Sequence, residues 1–260
     1  MTQRSFPDET RQDRERKFHD DLWAAADFVR EDAGKFYEIN ATSRAQYEAL
    51  IDARAAGSVC IEYGCAQGAD CIRLIDSAER VVGFDISEVV VKQARANAAA
   101  ASRSEAVEFV TAEAENLDFD DGTFDLAFGE SVLHHLELAP ALAEMTRILK
   151  PNGSAVFLEP LGHNRIINWY RDRTPEMRSP DEHPLMRDEL SLIRSHFRES
   201  TLRFFHLTSL AAVPLRSTRS FKRVVSMLDR VDQGIVRVAP RMAYQAWVCV
   251  MVLQGPRKEA

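Results

Sequence analysis

Ser58–Gly68 reads SVCIEYGCAQG, a short β-rich run closed by a glycine-bounded turn, and its reading decides the fold. Valine and isoleucine favour a strand, while Gly64 and Gly68 permit backbone conformations that side chains resist. Ala69–Ser77 follows as a helix whose N-terminus faces the turn, so a ligand can lie against backbone there. Arg80–Asp85 (RVVGFD) is a second strand, and it ends on a carboxylate 21 residues after Gly64. In a doubly wound sheet an acid at that point accepts hydrogen bonds from both ribose hydroxyls of an adenosine group. Its other use, capping the next helix, already has Ser87 available.

Outward from this unit the alternation continues. A helix runs from Ser87 through Ala101 with Val90, Ala94 and Ala98 on its inner face. Val107–Thr111, Phe124–Gly129 and Ser154–Glu159 are strands, and Pro140 sits in the first turn of a helix reaching Leu149. Five strands separated by helix-sized segments imply right-handed crossovers and a doubly wound, mainly parallel α/β sheet. Beyond Pro160 the rhythm breaks, and residues 161–184 are polar, proline-containing and expected to form a partly helical insertion. Leu185–Phe197 and Phe221–Val238 read as helices; Thr201–Leu207 and Ala246–Leu253 read as a final hairpin pair of strands. Upstream, Phe18, Leu22, Ala25, Ala26 and Val29 recur at helical spacing, residues 1–12 look frayed, and a second helix spans Thr42 to Arg54. Four regions result: an N-terminal helical cap (1–55), a core (56–160), an insertion with its helix (161–198) and a C-terminal part completing the sheet (199–260).

The stretches VCIEYGCAQG, VVGFDIS, VEFVTAEAENLDFDDGTFDLAF and GESVLHHLELAPALAEMTRILKPNG resemble, in order and spacing, class I S-adenosylmethionine-dependent methyltransferases. The resemblance covers residues 56–160 and is strongest to the branch that methylates quinones, lipids and natural products. It implies a seven-stranded, Rossmann-like methyltransferase fold whose final strand is antiparallel, and S-adenosylmethionine as cofactor. It further implies that Glu62 bonds the methionine amino group through the turn, while Gly64, Cys65, Ala66 and Gly68 let the methionine part pass close to backbone. Asp85 would hold the ribose and Ile86 the adenine face; Glu113 and the Ala114 amide would meet the ring edge; Gly129 and Glu130 would border the methyl-transfer pocket. Ala66 for glycine, Glu113 for aspartate and Asn152 for glycine depart from the family pattern, and none removes the ribose carboxylate.

The catalytic candidates are His134 and His135, which begin the segment after the fourth strand. His163, Asn164, Tyr170 and His183 follow the fifth strand, at the sheet end where open α/β folds bind ligands, and are expected to line the acceptor pocket. The N-terminal helices, with Phe36 and Tyr37 at their junction, are expected to close over the cofactor as a lid.

Composition limits the partners. A net charge of −7 argues against an extended phosphate backbone as ligand, so no nucleic acid is expected. The charge is uneven: residues 161–260 hold 17 Lys+Arg against 10 Asp+Glu, whereas the first 160 hold 16 against 30. Cys60, Cys65 and Cys71 lack zinc-knuckle spacing, which leaves any metal-site reading without ligands, and no metal is expected. No apolar run approaches the length of a membrane span, so membrane insertion is not expected and a cytoplasmic location is. The expected partner is a small organic acceptor methylated on oxygen, nitrogen or carbon. The competing readings are a nucleic-acid or protein methyltransferase, and a cofactor-binding enzyme such as a cyclase that transfers no methyl group.

Overall fold

Strand and helix alternate as the apolar periods dictate. Helices α1 (Arg11–Ala24) and α2 (Ala41–Ala55) precede β1 (Val59–Tyr63), α3 (Ala69–Leu74), β2 (Arg80–Asp85) and α4 (Glu88–Ala100). Then come β3 (Val107–Thr111), β4 (Phe124–Glu130), α5 (Leu138–Ile148) and β5 (Leu149–Pro160). The chain finishes with α6 (Arg165–Arg171), α7 (Arg187–Ser195), β6 (Phe197–Phe205), α8 (Phe221–Val238) and β7 (Val248–Pro256). This computed structural model describes residues 9–24, 39–103, 105–175, 178–215 and 217–258. Ala25, Ala26, Val29, Phe36 and Tyr37, placed above in the N-terminal helices and their lid, lie outside those residues.

The seven strands form one sheet in the order β3-β2-β1-β4-β5-β7-β6. The first five pair in parallel. β7 runs antiparallel to both β5 and β6. The expected hairpin of the last two strands is not one: α8 intervenes, and β7 inserts between β5 and β6. β6 also starts at Phe197 and not at Thr201, because β7 extends to Pro256 and pairs with Phe197 and Glu199. That long-range ladder overrides the charged local sequence Arg198-Glu199.

Two apolar layers close on the sheet. On one face Tyr47, Ile51 and Ala55 of α2 pack over β4, β5 and β7, and Val91, Ala94 and Ala98 of α4 pack over β2 and β3. On the other, Leu138, Leu142 and Met145 of α5 pack with Phe124 and Phe157. Local signals hold where the sequence placed them. The Ser87 hydroxyl accepts from the Val90 amide at 3.3 Å and starts α4. α1 begins earlier than the fraying expected of residues 1–12, because Thr10 and Asp13 exchange side-chain-to-amide hydrogen bonds of 3.1 Å at its N-terminus.

The chain turns outward from β1 to β2 and, in the opposite direction, from β4 to β5. The strand order therefore reverses between β1 and β4, which leaves a crevice at their carboxyl ends.

Candidate functional site

A cavity of about 330 Å³ occupies that crevice. Gly64, Ala66, Asp85, Ile86, Ala114 and Glu130 form its sheet side. Arg11, Gln12, Glu15, His19, Leu22 and Trp23, all from α1, form the facing wall, with His135 between the two.

The glycine turn is held by the carboxylate it precedes. The Ala66 amide donates to Asp85 Oδ2 at 3.1 Å and the Ser87 amide to Oδ1 at 3.0 Å. Backbone amides, that of Ile86 among them, thus occupy part of the carboxylate's acceptor capacity. Burial pushes the Asp85 carboxyl above its ordinary range, against the lowering effect of the Ser87 amide, His19 and the Ala66 amide. Further donors from a ligand would relieve that desolvation. Ala66 itself sits at φ +45° and Ser131, also in the cavity wall, at φ +56°. Such left-handed conformations cost a non-glycine residue roughly 1–2 kcal/mol. Two of them on one cavity mark a turn shaped for something other than stability. Gly68 has φ +78°, and a β-carbon there would stand 2.5 Å from the Phe109 ring.

Glu130 reaches the cavity from the end of β4 and is ion-paired with Arg44 of α2. Arg44 also meets Glu48 at 2.9 Å and Asp70 at 3.1 Å, so one guanidinium serves three carboxylates. Burial raises the Glu130 carboxyl despite that cation.

Of the two histidines after β4, only His135 faces the cavity. Its Nδ1 lies 3.2 Å from Glu15 Oε2, and burial first, then the charge of His134, pushes its pKa down. The imidazole is therefore uncharged at neutral pH. His134 is buried away from the cavity, with Nδ1 2.8 Å from Glu159 Oε2. Glu159 Oε1 accepts from the Val132 and Leu133 amides at 2.9 and 2.8 Å, so this pair closes the turn after β4. Burial drives His134 down to about 3 and Glu159 up to about 7. Both partners are pushed toward their uncharged forms, and a structural role follows for His134.

Several candidate residues lie elsewhere. Glu62 is not on the cavity: its carboxylate accepts from the Cys71 amide at 3.1 Å and the Cys71 thiol at 2.8 Å, under α3. Burial, with the charge of Asp70, pushes it up to about 8. The Cys65 side chain points into the core, and Gly129 is packed against Tyr63 backbone and Phe157, leaving no room for a side chain. The Glu113 carboxylate pairs with Arg16 at 2.6 Å outside the cavity, so only Ala114 of that pair lines it.

The acceptor-side candidates are occupied with folding the insertion. Asn164 caps α6, accepting from the Ile166 and Ile167 amides at 3.0 and 3.1 Å, and donates to the Gln245 carbonyl at 2.8 Å. His163 accepts from the Arg187 amide at 3.1 Å and packs on Tyr244. His183 is exposed and lies 2.7 Å from Glu189. Tyr170 sits on α6, off the cavity. In their place stand Glu15 and His19, which the sequence reading took only as part of a helix. The signal that locates them is their i, i+4 spacing, which puts both on one face of α1.

Residues 61–157 match the model of a methyltransferase domain family. The 2-phytyl-1,4-naphtoquinone methyltransferase of Trichormus variabilis is 30% identical over 107 residues, 40% of this chain and 47% of that protein. Among solved structures, the geranyl diphosphate C-methyltransferase of Streptomyces coelicolor superposes with a TM-score of 0.60 at 13% identity, covering 82% of this chain and 76% of that one. The cyclase SpnF superposes at 0.54 and 17% identity, covering 81% of each chain. The chain spans less than half the length of the first curated relatives it matches. No helix among the described residues is long and apolar enough to cross a membrane.

Proposed function

We propose that this chain transfers the methyl group of S-adenosylmethionine to a small organic acceptor. The observation that carries the reading is one cavity lined by two kinds of group. One is a half-buried carboxylate, Asp85, beside a turn held at positive φ. The other is a polar cluster of Glu15, His19 and His135.

The residues present fit the cofactor. Asp85 would hold the ribose, Ile86 and the Ala114 backbone the adenine, and Gly64 and Ala66 the methionine chain. Glu130, a carboxylate on the cavity wall, would meet the methionine ammonium, a role the sequence reading gave to Glu62. When bound, the cofactor supplies an electrophilic methyl carbon on a sulfonium. The protein's tasks are to align the acceptor with it and to exclude water, and alignment alone accounts for several kcal/mol of barrier lowering in such reactions. α1 performs the exclusion by covering the cavity with Leu22 and Trp23. The polar cluster takes the acceptor's reactive group.

The relatives that act on quinones support an aromatic, oxygen-bearing acceptor. The test is to incubate the chain with methyl-labelled cofactor and a panel of quinols, phenols and isoprenoid diphosphates. Transfer of label to at least one small acceptor is expected. Tight cofactor binding combined with an acceptor that is rearranged but unlabelled would show instead a cyclase-like enzyme. Label entering RNA or protein alone would refute the small-molecule assignment.

A further inference from the structure

The polar cluster has a geometry that hydrogen bonding does not exhaust. Glu15 and His19 share one face of α1 and His135 comes from the turn after β4, so three side chains from two distant segments converge. His135 Nδ1 lies 3.2 Å and His19 Nε2 3.5 Å from the same oxygen, Glu15 Oε2. One oxygen, one Nε2 and one Nδ1 thus stand within 4.8 Å of each other. A tetrahedral centre with bonds of about 2.0–2.2 Å keeps its ligand atoms roughly 3.3–3.5 Å apart. The two distances to Glu15 Oε2 are close to that spacing, whereas 3.5 Å is long for an imidazole–carboxylate hydrogen bond.

We propose that Glu15, His19 and His135 bind one divalent transition-metal cation on the acceptor side of the cavity, and that its open position takes an oxygen of the acceptor. Three further features support the site. The second Glu15 oxygen accepts from the Ser179 hydroxyl at 2.5 Å, an outer partner that fixes the carboxylate's direction. Three protein ligands that open onto a cavity follow the pattern of a reactive centre, since structural zinc sites use four and are closed. Two imidazoles and one carboxylate suit Zn²⁺, Co²⁺ or Fe²⁺; Mg²⁺ and Ca²⁺ demand mainly oxygen. Arg11 lines the same cavity and opposes a cation there, so weaker binding than at a closed four-ligand site is expected.

The expectation of no metal was drawn from cysteine spacing, which has no bearing on a site made of histidine and carboxylate. Cation binding stands on these three side chains alone; the role toward an acceptor rests on the methyl-transfer reading.

The experiment uses the full chain, freed of metal with a chelator and titrated with Co²⁺ while visible absorption is followed. Adenosylhomocysteine binding is measured by calorimetry on the same samples. One Co²⁺ per chain is expected, giving visible bands of a low-coordinate site that Zn²⁺ displaces. His19→Ala and Glu15→Gln each weaken binding more than about tenfold. His183→Ala, altering an exposed imidazole off the cavity, leaves binding unchanged. Circular dichroism checks that each variant is folded. No saturable binding by the wild-type chain overturns the proposal and leaves the trio a hydrogen-bonded proton acceptor. Equal binding by His19→Ala and Glu15→Gln overturns it too, because the cation then sits elsewhere. Retained adenosylhomocysteine binding without Co²⁺ binding removes the metal site alone. Co²⁺ binding without adenosylhomocysteine binding removes the cofactor reading alone.

Discussion

The wall of the cavity that carries Asp85 is made of strand ends, while the wall that carries Glu15 and His19 is a single charged helix. β1, β2 and β4 are paired along their whole length and almost wholly buried, so the turn after β1 inherits the rigidity of the sheet. α1 buries only Glu15. It is tied down by polar bonds reaching across the molecule: Arg14 to Asp181 at 2.7 Å, Arg16 to Glu113 at 2.6 Å and Asp20 to the Ser87 hydroxyl at 2.5 Å. Bonds of that kind at a partly exposed surface contribute little each. The difference teaches that one wall, a platform, is held by the sheet itself, and the other, a cover, by a few polar pairs at its surface.

The plainest way to break the comparison is at Gly68. Gly68→Ala places a methyl group against the Phe109 ring at a positive φ. It is expected to cost about 3 kcal/mol of global stability, from backbone strain and overpacking together. Urea denaturation checks this, and a neutral result would mean the platform is not rigid.

A sharper probe of the platform's interior is Glu62. Its carboxyl is pushed from 4.5 up to about 8 in the folded chain, chiefly by burial. A raised folded pKa means the folded state holds a proton that the unfolded state releases. The stability this contributes is complete below the unfolded pKa and is lost as pH rises through about 8. Glu62→Gln, which cannot titrate, should therefore gain on the wild type by about 4 kcal/mol between pH 5 and pH 8.5. Denaturation midpoints at the two pH values measure the gap; a gap that closes with rising pH would reverse the assignment.

The smallest effect belongs to the cover. Arg14→Ala should leave the unfolding midpoint where it is while raising amide exchange across α1, because only the local opening of the helix depends on the pair with Asp181. A large shift in the midpoint would show that α1 is part of the core.

The same contrast explains what the sequence disclosed. Strand and helix periods from Ser58 to Glu159 are local, and Asp85 follows the glycine turn at a fixed distance along the chain, so the platform could be read directly. The cover is assembled from pairs remote in sequence. Glu15 meets His135 and Ser179, and Arg16 takes Glu113 out of the ring-binding role that its motif implied. No local pattern encodes those encounters. The insertion differs for the opposite reason: His163, Asn164 and His183 have the polarity of a pocket, but backbone amides engage the first two and the Glu189 carboxylate the third.

The central claim is that adenosine is gripped by Asp85 at the open end of the first two strands. Calorimetric titration of the wild-type chain and of Asp85→Ala with adenosylhomocysteine tests it most directly. Loss of two hydrogen bonds to a charged group predicts affinity about 100-fold weaker in the variant. Equal affinity in the two proteins would contradict the account.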